Sequence, residues 1–81
     1  MVQFRIVKRN GNESIIESKN LTTLRRMLLR EYIGVMDSAK VYSMNGAYKG
    51  TAMRGYSDTL WQTAAGHNYI LNRNGTTGGK Y

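Results

Sequence analysis

The chain predicts a small single α+β domain: two strands and a helix, then a mostly antiparallel β-meander, with the one helix packed on the sheet. Three observations carry this. Asn-Gly pairs recur at Asn10-Gly11, Asn45-Gly46 and Asn74-Gly75, and the first two lie between segments that read as strands. One stretch, Leu21 to Ile33, carries apolar residues at helical spacing. Strands before and after a single helix make an α+β domain. At 81 residues the chain holds one domain, taken as residues 1–72, with 73–81 as a flexible C-terminal tail.

The elements follow in order. Val2 to Lys8 and Glu13 to Ser18 form the first hairpin, because Asn and Gly both tolerate the positive φ that tight hairpin turns require. Side chains alternate along a strand, so Phe4, Ile6 and Ile16 share a face. A three-residue loop of Asn10, Gly11 and Asn12 sets Arg5 opposite Glu17 and Arg9 opposite Glu13, pairs that favour this register modestly. A two-residue turn would oppose Phe4 to Glu17, a worse core.

Asn20 is the predicted N-cap, accepting from the amide of Thr22 or Thr23. Leu21, Leu24, Met27, Leu28 and Tyr32 form the apolar stripe of a helix from Leu21 to Ile33. Arg26 and Arg30 lie on its opposite side, and Arg25 at the stripe's edge. Gly34 is expected to end the helix in the left-handed conformation.

The remainder reads as β. Lys40 to Met44 and Ala47 to Arg54 flank the second Asn-Gly pair. A two-residue turn there pairs Ser43 with Tyr48 and Tyr42 with Lys49, which sends Tyr42 and Tyr48 to opposite faces. Gly50 reads as a sheet bulge. Gly55 to Asp58 is a turn, Thr59 to Thr63 a strand, Ala64 to His67 a turn around Gly66, and Asn68 to Asn72 the last strand. Trp61, Tyr69 and Leu71 supply the core of this half, which is poor in Val and Ile. The third Asn-Gly pair opens the tail. The chain has no proline, for which we have no physical account beyond uninterrupted strands.

Twelve Lys and Arg against five Asp and Glu leave a net charge of +7, whose field attracts polyanions. A hydrophobic content of 41% is enough for a small core and too high for a disordered polyelectrolyte. The absence of Cys excludes disulfides and thiolate metal sites and fits a reducing cytoplasm. No apolar run approaches the ~20 residues that span a bilayer. The N-terminus alternates apolar and polar residues, unlike a signal peptide. The expected setting is therefore cytoplasmic, with no membrane partner.

The sequence offers little catalytic chemistry. His67 is the only histidine, with no carboxylate or nucleophile at a telling spacing, and reads as a solvated turn residue. Glu13, Glu17, Glu31, Asp37 and Asp58 are scattered over different elements and form no acid/base or metal pair. The glycines from Gly46 to Gly50 lack the ending of a phosphate loop. No metal or cofactor is expected, and the protein is read as a non-enzyme. A small basic ribonuclease using His67 with Arg and Tyr is the one enzyme reading kept.

The most pointed constellation is aromatic and basic. Tyr42, Tyr48, Tyr56, Trp61 and Tyr69 interleave with Lys40, Lys49, Arg54 and Arg73. Rings on a sheet stack with unpaired bases while cations neutralise phosphates. The same rings also make good core, and Tyr48 and Tyr56 stay open between core and binding surface. On the helix, Arg25, Arg26 and Arg30 form the densest positive cluster. The expected function is non-enzymatic binding of DNA or RNA through Arg25, Arg26, Arg30, Lys40, Tyr48, Lys49, Arg54, Tyr56 and Arg73. The alternative is a regulator of the kind carried by phages and mobile elements, docking on an acidic face of a host protein.

Overall fold

A computed structural model describes residues 1–56, 59–71 and 77–80, without the side chains of 70, 71 and 77–80. The order is β1 (Val2–Lys8), β2 (Glu13–Ser18), α1 (Leu21–Met27), a π-helical turn (Leu28–Tyr32), β3 (Asp37–Ser43), β4 (Tyr48–Arg54), β5 (Thr59–Thr63), β6 (Asn68–Leu71) and β7 (Thr77–Lys80). The strands form one antiparallel sheet in the order β2-β1-β3-β4-β5-β6-β7. The helix covers one face of it, which is the expected α+β arrangement. Part of the expected tail, residues 73–76 and 81, lies outside the described residues, as do Ser57 and Asp58 of the expected Gly55–Asp58 turn. Thr77–Lys80 pair with β6.

The period of two selects the covered face. Phe4 and Ile6 of β1, Ala39 and Val41 of β3, Ala52 of β4 and Trp61 of β5 are buried there against Leu24, Leu28, Leu29 and Ile33. Ile16 and Tyr69 pack on the margin of this cluster. Trp61 is thus core, as its sequence context predicts.

Three hairpins share one loop. Arg9-Asn10-Gly11, Met44-Asn45-Gly46 and Ala64-Ala65-Gly66 each place a glycine third, at φ of 90°, 93° and 90°. Each is closed by a pair of backbone bonds, such as Ser43 N–H to the Ala47 carbonyl at 2.8 Å and Gly46 N–H to the Ser43 carbonyl at 3.0 Å. This is a turn followed by a left-handed residue, for which glycine carries no steric cost. It corrects two expectations. The first loop is Arg9–Gly11, one residue earlier than predicted. Phe4 therefore opposes Ile16, Arg5 opposes Ile15 and Gln3 opposes Glu17. The predicted loop would have put Asn12, rather than glycine, in the left-handed third place. The second loop has three residues, not two, so Ser43 faces Ala47 and Tyr42 faces Tyr48.

Asn20 caps α1 as expected, its side chain accepting from Thr23 N–H at 2.8 Å. The predicted helix end is corrected. Ile33 N–H reaches the Leu28 carbonyl at 3.1 Å, five residues back, and the helix widens into a π turn. The added residue per turn rotates Leu29 and Ile33 onto the core and leaves Tyr32 exposed, although the spacing had placed Tyr32 in the stripe. Gly34 does not take the left-handed conformation; Met36 does, at φ 63°. Arg54 satisfies the freed carbonyls, donating to Arg30 O at 3.1 Å and Ile33 O at 3.3 Å.

Candidate nucleic-acid interface

The face of the sheet opposite the helix has no covering layer among the described residues. Gln3, Arg5 and Val7 of β1, Glu13, Ile15 and Glu17 of β2, Ser38, Lys40 and Tyr42 of β3, Thr51 and Met53 of β4, and Leu60 and Gln62 of β5 lie on it by register, so it carries two carboxylates beside its cations Arg5 and Lys40. Of these only Thr51 is buried.

A β-bulge decides what stands at its centre. Val41 pairs with Gly50 and Tyr42 with Tyr48, so Lys49 has no partner across the ladder. Gly50 sits at φ 145°, where an added Cβ would lie 2.7 Å from Trp61 Cε2 and 2.8 Å from the Gln62 carbonyl oxygen. The indole of Trp61 thus occupies the space a side chain at position 50 would need. The extra residue resets the alternation, and Tyr48 emerges on the same face as Tyr42. The sequence had sent them to opposite faces; the three-residue loop and the bulge together correct this.

The two rings meet with centroids 5.6 Å apart and planes inclined by 54°. The Arg5 guanidinium lies 4.9 Å from the Tyr42 centroid, a cation–π contact. Arg5 also donates to Glu13 Oε1 at 2.7 Å. Both partners of that pair are about half exposed, so it positions Arg5 more than it stabilises the fold. The Tyr48 hydroxyl bonds to Thr51 Oγ1. Lys40 stands two residues from Tyr42 on the same face, with its side chain exposed.

The predicted site residues divide among several places. Lys40 and Tyr48 are on the uncovered face, and Lys49 is the exposed bulge residue. Arg26 and Arg30 are exposed on the helix, on the other layer. Arg25 is half-buried; its burial, with the neighbouring Arg26 charge, pushes its pKa down, while Tyr69 pushes it up. The Arg25 Nε is buried without a hydrogen-bond partner. Arg54 is the cap of the helix end, on the helix side of the sheet. Tyr56 is exposed in the segment between β4 and β5. Arg73 lies outside the described residues.

Sequence reasoning missed Arg5 and the pairing of Tyr42 with Tyr48. Gly50 had signalled the bulge, but the two-residue turn read at Asn45-Gly46 hid its consequence, and nothing in the sequence signalled Arg5.

His67 is exposed in its turn, its backbone N–H bonded to Thr63 Oγ1 at 3.0 Å. Among the described residues no three His, Asp or Glu side chains gather as a metal site. No helix among them is long and apolar enough to cross a membrane. No protein-family model, curated protein or solved structure matches the chain.

Proposed function

We propose that this protein binds nucleic acid without catalysing a reaction on it, through cations on the uncovered face of the sheet, and that it does so in the cytoplasm. The observation that carries this is the cluster at the centre of that face, Arg5, Tyr42 and Tyr48 with Lys40 beside it, in a chain of net charge +7. The field draws a polyanion in, and Lys40 meets phosphate. A salt series on nucleic-acid-free protein tests the reading. The logarithm of affinity should fall linearly with the logarithm of salt, with a slope near −0.9 per phosphate on duplex DNA and near −0.7 on single strands. Lys40→Ala should make the slope shallower by about one contact's worth. Arg26→Ala with Arg30→Ala should leave it as in wild type. A shallower slope in that double variant would move the interface to the helix. Binding to no nucleic acid at low salt would remove the reading.

A second reading, docking on an acidic protein surface, draws on the exposed Tyr32, Val35 and Met36 beside the helix end. Exposed apolar side chains grouped near cations fit a protein partner.

A further inference from the structure

We infer that the Arg5–Tyr42–Tyr48 cluster is a seat for an unpaired base, so that the ligand is single-stranded nucleic acid in preference to duplex. This rests on the nucleic-acid reading above and narrows its ligand.

The three side chains differ in what they offer. Tyr42 is half-buried, between the Arg5 guanidinium and the Tyr48 ring. Tyr48 is 37% exposed and is the accessible ring. Its hydroxyl is tied to Thr51 and its ring leans on Tyr42. The ring is therefore fixed before any ligand arrives, and a base that stacks on it orders little protein. The planar guanidinium of Arg5, held by Glu13, offers a second flat surface on the far side of Tyr42.

The shape of the face argues against a duplex. Duplex bases are already stacked on one another, and their edges are read by an element that enters a groove. Here the aromatic cluster lies on a sheet, on β3 and β4, with strands on both sides of it. A single strand can lay a base on Tyr48, since every base has a π-face. Lys40 is two positions from Tyr42 along β3, about 7 Å at strand spacing, where a flanking phosphate can meet it.

The test compares labelled oligothymidylate, oligouridylate and a mixed-sequence duplex, each of about ten units, at one low salt concentration. Wild type should bind the single strands more tightly than the duplex. Tyr48→Leu should weaken single-strand binding about 5- to 150-fold, and Tyr48→Phe, which keeps the ring but loses its tie to Thr51, should fall between Tyr48→Leu and wild type. Duplex affinity should be the same in all three proteins. Tyr48→Trp adds a direct readout: its fluorescence should be quenched by oligothymidylate and left unchanged by the duplex. Binding of oligothymidylate without quenching, or an equal loss on single strand and duplex in Tyr48→Leu, overturns the base seat while leaving phosphate binding in place. Wild-type protein that binds none of the three overturns the nucleic-acid reading itself.

Discussion

Gly50→Ala should destabilise the domain by about 2–6 kcal/mol, the sum of overpacking and of forcing a side chain to positive φ. The φ of 145° and the Trp61 ring act together at this position. Gly46 separates the two effects. It has φ 93° but open space where a Cβ would go, so Gly46→Ala carries backbone strain alone. Gly50→Ala should therefore cost more than Gly46→Ala by about 1–3 kcal/mol, the overpacking contribution. In a domain of this size each kcal/mol lowers the melting temperature by about 4–8 °C. In a Trp61→Leu background much of the excess should vanish, since the clashing ring is gone. Equal melting temperatures for the two alanine variants would show that Trp61 does not occupy the space beside Gly50.

The second large effect lies in the helix. Leu28 and Leu29 are buried, and Leu28→Ala or Leu29→Ala should each cost about 2–5 kcal/mol. Total stability for a chain of this length is on the order of 4–12 kcal/mol, so either change takes a large share of it. Tyr32→Ala should cost well under either, because Tyr32 is 45% exposed. Regular helical spacing gives a different ranking, with Tyr32 inside the stripe and Leu29 outside it. Chemical denaturation of the three variants decides between a π turn and a regular helix. A Tyr32→Ala loss larger than that of Leu29→Ala would contradict the π turn.

These two sites also mark where sequence reasoning stopped. Local chemistry was legible. Asn20 caps because its short side chain accepts from an amide that has no partner within the helix. Phe4, Ile6 and Ile16 share a face because strands alternate and because the predicted and observed registers differ by two residues, which keeps the parity. Trp61 is core in a half of the chain with few other large apolar residues. What was not legible depends on one residue more or less. Asn-Gly marked the first two hairpins, yet the glycine alone fills the left-handed position, and Ala64-Ala65-Gly66 makes the same loop without asparagine. The π turn requires no special residue type; Ile33 and Leu29 reach the core only with one more residue in the turn. At the candidate site the bulge was legible at Gly50, but it brings Tyr48 beside Tyr42 only together with the three-residue loop, which was not. Neither cross-strand proximity nor the fit of Trp61 over Gly50 appears in periodicity. Arg54 looked like one more free cation, and its role as a helix cap needed the distance to Arg30 and Ile33.

The central claim is that the uncovered sheet face, and not the arginine face of the helix, meets the nucleic acid. Backbone amide shifts in a two-dimensional NMR titration with oligothymidylate test it most directly. The account predicts the largest changes at Arg5, Lys40, Tyr42, Tyr48 and Thr51, on three adjacent strands, with Arg26 and Arg30 unmoved. Changes concentrated at Arg26 and Arg30, with β1, β3 and β4 unmoved, would contradict it.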